Sequence, residues 1–138
     1  KAPNLNWIFE EYNVHLIHKR SDQATADLKN LLQLKGYKGI DLLIIDGNHS
    51  EKGSTSDFVN YFPLVRKDGL IWLDDIVHEP GVGNTWKTIK NRTIFGENST
   101  SHLNQTYDYW HWGIGEVEGL DKKKLTKAID GVWLTKLI

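Results

Sequence analysis

The chain has 138 residues, a formal charge of −1, a pI near 6.6, 39% apolar and 11% aromatic residues, and no cysteine. Such a chain buries one modest core, lacks the basic excess of nucleic-acid binders, and excludes disulfides and thiolate zinc sites. No apolar run approaches the roughly 20 residues of a membrane span, and Lys1 to Asn6 carry no signal-peptide pattern. A soluble, cytoplasmic protein without a nucleic-acid or membrane partner is therefore expected. There is no Met, even at position 1, and the chain opens in structured-looking sequence, so an excerpt of a longer protein is expected.

Asn13 to Lys19 alternates polar residues with Val14 and Leu16 and breaks at Arg20-Ser21-Asp22, which predicts a strand followed by a helix cap. The next helix runs from about Gln23 to Leu34. Ala24, Leu28, Leu31, Leu32 and Leu34 form its apolar stripe, and Gly36 closes it. Ile40 to Ile45 is almost wholly apolar, as in a strand covered on both faces, and ends at Asp46-Gly47. A second helix is expected from Thr55 or Ser56, with Phe58, Val59, Phe62 and Val65 on one side and a kink at Pro63. Leu70 to Leu73 reads as another buried strand, closing at Asp74-Asp75. A third helix follows Gly83-Asn84 through Thr85 to about Asn91.

This alternation predicts an α/β fold, a Rossmann-like and mostly parallel sheet with helices on both faces. Beyond Ile94, Tyr107 to Val117 and Gly131 to Ile138 read as two late antiparallel strands. Tyr107, Tyr109, Trp110, Trp112 and Trp133 read as core and sheet cover in preference to a stacking platform, and Lys122-Lys123-Lys124 as a solvated helix start.

In a parallel sheet, functional side chains gather at the carboxyl ends of the strands. Asp46 and the pair Asp74-Asp75 follow the ends of two strands that are expected to be neighbours, so their carboxylates can converge. Three hard oxygen donors suit Mg²⁺, Mn²⁺ or Ca²⁺, and such a cation would offset their mutual repulsion. The alternative is that these acids are helix caps or turn formers. His49, three residues past Asp46, is a candidate general base or further ligand. His78 stands similarly after Asp75, while His15, His18, His102 and His111 read as structural.

Two stretches carry a resemblance: Asp41 to Ser50, with Ile45-Asp46-Gly47-Asn48-His49, and Phe62-Pro63 through Asp68-Gly69 to Leu73-Asp74-Asp75. With Gly81-Val82 through Trp86 downstream, the chain resembles class I S-adenosylmethionine-dependent methyltransferases, in particular metal-dependent small-molecule O-methyltransferases. The resemblance covers roughly Val14 to Val117. It implies that Asp46, Asp74 and Asp75 hold a divalent metal, most simply Mg²⁺, which lowers the pKa of a substrate hydroxyl. It also implies His49 as base, and Ser21, Asp22 and Asp46 as residues that meet the cofactor, S-adenosylmethionine.

The family's Gly-rich loop after its first strand, and the acid that binds the ribose, have no counterpart in this sequence. The expectation is therefore a single partial methyltransferase-like domain over 1–138, lacking N-terminal strands: either the C-terminal part of an enzyme that transfers a methyl group to a small-molecule or sugar hydroxyl, with its cofactor-binding half upstream, or a remnant that has lost the chemistry. Two other readings stay open. One is a non-catalytic half-domain that binds partners, including copies of itself, at an open sheet edge. The other is a metal-dependent nucleotide-sugar transferase.

Overall fold

The protein is seen in a computed structural model that describes residue 4 and residues 6–96, 107–113 and 130–137, with the backbone alone over 108–113. The elements are α1 (Asn6–Glu11), α2 (Ser21–Leu34), β1 (Ile40–Ile45), α3 (Glu51–Tyr61), a 3-10 turn (Phe62–Leu64), β2 (Val65–Asp74), α4 (Pro80–Lys90), β3 (Tyr107–Gly113) and β4 (Asp130–Lys136). The lysines at 122–124, the segment 114–117 and the side chains of Tyr109, Trp110 and Trp112 lie outside the described residues.

The strands lie in the order β1-β2-β4-β3. β1 pairs with β2 in parallel, and β4 runs antiparallel to both β2 and β3. Three strands therefore point one way and β4 alone is reversed, but β4 lies between β2 and β3, so one of the three pairings is parallel and two are antiparallel: the described sheet is mixed, with the expected antiparallel pairing of the late strands. Because β4 returns against β2, its first residues sit at the carboxyl end of β1 and β2: Gly131 faces Asp74 in register, and Val132 faces Leu73.

One face of this sheet holds the core. Ile45, Ile71, Leu73, Val132 and Leu134 alternate onto it and meet Phe58 of α3 and Val82, Trp86 and Ile89 of α4. Tyr107 completes it: its ring lies within about 6 Å of Phe58 and Phe62 (centroids 6.1 and 5.9 Å), and its hydroxyl donates to the Ile89 carbonyl at 2.6 Å. Buried aromatic side chains contribute large apolar areas, and a tyrosine needs such a partner for its hydroxyl. The other face is more open. Leu42 and Ile44 of β1 are 47% and 60% exposed, so cover expected on both faces is met on one among the described residues. Trp72 and Trp133 partly shield that open face as a tilted pair at 4.8 Å. Gly131 makes room for them, since a Cβ there would stand 2.1 Å from the Trp72 ring.

Local chemistry sets the helix ends. At the end of α2, Gly36 takes φ +70, the Tyr37 amide donates to Leu32 and the Gly36 amide to Gln33, which is a Schellman closure. α3 begins at Glu51, earlier than the expected Thr55 or Ser56, because the Ser50 hydroxyl caps it by accepting the Gly53 amide at 3.0 Å. Gly53 is tolerated inside the first turn because a Cβ there would collide with the Asn48 side chain. α4 likewise starts earlier than expected, with Pro80 in its first turn, a position where the missing N–H costs nothing. Pro63 does not kink a helix; it lies in the 3-10 turn after α3 has ended.

The strand expected over Asn13 to Lys19 does not form. That segment is irregular, Val14 and Leu16 are 41% and 68% exposed, and Asn13 takes φ +51. Alternation marks a strand only when a neighbour accepts its ladder, and none of the described strands flanks this segment. No helix among the described residues is long and apolar enough to cross a membrane.

Candidate active site

Parallel pairing brings the ends of β1 and β2 side by side, with Ile45 opposite Leu73, so the residues that follow them share one edge. Asp46 leaves β1 there and Asp75 leaves β2. His49 bridges them from the loop after β1: its Nε2 is 3.5 Å from Asp46 Oδ1 and 3.5 Å from Asp75 Oδ2, while its Nδ1 is 3.6 Å from Glu79 Oε1. The loop is held by Asn48, whose Oδ1 accepts the Ser50 amide at 3.0 Å, and by α4, whose Gly81 passes so close that a Cβ would stand 2.3 Å from the His49 carbonyl oxygen.

Asp46, His49 and Asp75 each present a potential ligand atom, all within 4.8 Å of one another. A second group of the same kind joins Asp75 to His78 and Asp130. Asp74, the last residue of β2, belongs to neither group. It is nonetheless close enough to act on Asp75, whose pKa is raised first by burial and then by the Asp74 carboxylate, with Asp46 and Asp130 adding to the rise and His49 opposing it. Desolvation and like charge both disfavour a carboxylate anion. The two carboxylates are hard oxygen donors of the kind that suit Mg²⁺ or Mn²⁺, and a cation between them would offset the crowding of negative charge on Asp75.

Asp130 was absent from the sequence expectations. It opens β4 with its side chain 5% exposed. Its signal was available in principle: an acid at the start of an antiparallel strand reaches the same edge as acids at the ends of parallel ones. Glu79 also escaped notice, and its place beside His49 follows from the turn between β2 and α4.

Ser21 and Asp22 lie away from this cluster, at the start of α2. They line a cavity of about 450 Å³ together with Asn48, Ser50, Lys52 and Asp57. Asp22 receives Arg20 through two hydrogen bonds of 3.1 and 2.9 Å, and the Ser21 carbonyl accepts the Tyr61 hydroxyl at 2.6 Å. A second hollow of about 370 Å³ is bordered by both Ser21 and Asp46, so it reaches from the α2 terminus to one member of the cluster.

A family model described as a methyltransferase domain matches residues 7–76, about half of the chain, a stretch that holds Ser21, Asp22, Asp46, His49, Asp74 and Asp75. No curated protein and no solved structure matches.

Proposed function

Since the chain belongs to the methyltransferase domain family, we propose that it transfers a methyl group from S-adenosylmethionine to a hydroxyl of a small molecule or sugar, with a divalent cation at the carboxylate edge. The observation that carries this reading is the convergence of Asp46, His49 and Asp75 within 4.8 Å at the ends of β1 and β2. Asp46 and Asp75 would hold the cation, with Asp74 adding negative charge beside them. A bound Mg²⁺ or Mn²⁺ supplies Lewis-acid activation of the substrate hydroxyl.

The chain's own residues do the rest. The hollow bordered by Ser21 and Asp46 offers the cofactor a path between the α2 terminus and the acceptor. His49 is the base. Held between the carboxylates and Glu79, its neutral imidazole takes the proton of the acceptor hydroxyl as the oxygen–methyl bond forms and the sulfur–methyl bond breaks. The cationic sulfonium becomes a neutral thioether, and the resulting imidazolium is met by Asp46, Asp75 and Glu79. In-line displacement of this kind depends chiefly on holding the two reactants in line.

Calorimetry of the protein with any sequence upstream of Lys1 included, titrated with S-adenosylhomocysteine in the presence and absence of Mg²⁺, tests cofactor binding first; absence of heat in both titrations would sink the reading. For methyl transfer itself, His49→Ala should lower kcat by roughly 10²–10⁴-fold, the usual contribution of a general base. A variant with undiminished turnover would remove His49 from the chemistry.

The open sheet face favours a second reading, a binding module that associates through β1. Leu42 and Ile44 are exposed, and no described strand pairs with the outer edge of β1. Light scattering separates the two: this second reading requires stable association and fails for a monomer.

A further inference from the structure

Asp130 falls outside the family match at 7–76, and the chemistry above gives it no task. A carboxylate whose side chain is 5% exposed is costly unless its lone pairs are met. They are met from one short turn. The Val77 amide donates to its two oxygens at 2.9 and 3.0 Å, the His78 amide donates to Oδ2 at 2.7 Å, and His78 Nδ1 lies 2.6 Å from the same oxygen. The Asp130 carbonyl in turn accepts the Asp75 amide at 2.6 Å. One residue of β4 thus ties down three residues of the segment that leaves β2.

The turn needs such a tie. Asp75 sits at φ +57, a left-handed conformation that a residue with a side chain keeps only where its surroundings over-determine it. In that conformation its carboxylate faces His49 at 3.5 Å, whereas Asp74, one residue earlier, stays outside the cluster. Three donors of the turn, the Val77 amide, the His78 amide and His78 Nδ1, already address the roughly four lone-pair sites of the Asp130 carboxylate, so most of its bonding capacity is spent on the turn.

We propose that Asp130 is a positioning residue of the cation site: by clamping the 75–78 turn, it fixes the Asp75 carboxylate opposite Asp46 and His49. The proposal rests on the metal-assisted reading and adds to it that cation affinity is set in part by a residue that does not touch the cation. Partners that orient a metal ligand commonly matter this much.

Mn²⁺ titration of the full chain, followed by electron paramagnetic resonance, tests the proposal on the wild type, Asp130→Asn, Asp46→Asn and Leu134→Ala. The Asn side chain keeps the shape but puts an NH2 donor where one carboxylate oxygen accepts, so in either orientation at least one of the Val77 and His78 donors faces another donor. Asp130→Asn should weaken Mn²⁺ binding by about 10–100-fold, with faster amide exchange at Val77 and His78. Leu134→Ala, which loosens β4 without touching the turn, should leave the affinity of the folded protein unchanged. If Asp130→Asn does not fold, His78→Phe removes one donor from an exposed side chain and should give a smaller loss in the same direction. Wild-type affinity in Asp130→Asn, with Asp46→Asn impaired, overturns this proposal alone. A wild type that binds no Mn²⁺ overturns the metal-assisted reading and this proposal with it.

Discussion

The helix-covered face of the sheet and its carboxyl edge are made by the same strands under opposite rules. On the face, Ile71, Leu73, Val132 and Leu134 are fully buried, and buried hydroxyls have partners, as in the Ser54–Thr85 contact at 2.7 Å. At the edge, burial and then the neighbouring carboxylates push Asp75 above its ordinary range, and its backbone is held in a left-handed conformation. The face supplies stability and the edge consumes some of it, which is the usual relation between a core and a site that must bind something charged.

The comparison can be broken or sharpened by substitution. The largest effect is expected on the packed face, where Ile71→Ala should lower unfolding free energy in urea by about 2–5 kcal/mol; a loss near zero would mean that this face is not the core. Thr85→Val, which removes a hydroxyl shared with Ser54 and Thr55, should cost about 1–3 kcal/mol in the same assay. At the edge the sign reverses. Asp75 has a raised pKa in the folded state, so its contribution favours folding below the unfolded value of 3.8 and is lost as pH rises through the folded value. Asp75→Asn, which also tolerates the left-handed backbone, should therefore raise the Tm of the metal-free protein at pH 7, with the gain vanishing as pH falls towards 3.8. Mg²⁺ should raise the Tm of the wild type and leave that variant unmoved. The smallest effect belongs to the open face: Ile44→Thr, at a residue 60% exposed, should stay within about 0.5 kcal/mol of wild type.

What could be read from the sequence follows the range of the forces involved. Helix α2, the apolar runs of β1 and β2, and the acids at their ends are local patterns that stand where they were expected, although Leu34 of the α2 stripe is 85% exposed and β2 already begins at Val65, which was expected on the second helix. The start of α3 is set by the Ser50 hydroxyl accepting the Gly53 amide, a bond no periodicity reports. The alternation at Val14 and Leu16 needed a neighbouring strand and lacked one among the described residues. The site divides in the same way. Asp46, His49 and Asp75 were visible as residues that follow strand ends, and the structure brings them together. Which of two adjacent acids turns toward His49 depends on the pleat of β2 and the φ of Asp75, and the sequence carries neither. Asp130 joins only because β4 returns antiparallel to β2.

The two indoles that face each other across β2 and β4 have an optical consequence. With centroids 4.8 Å apart and planes inclined at 51°, Trp72 and Trp133 are close and skewed enough for their electronic transitions to couple. Such a dimer produces a split circular-dichroism band of paired sign, a signal that isolated tryptophans lack. β2 runs out towards Asp75 and β4 begins at Asp130, so this couplet reports the strand register on which the carboxylate edge depends. Its decay during rapid mixing with denaturant would time the moment at which that edge comes apart.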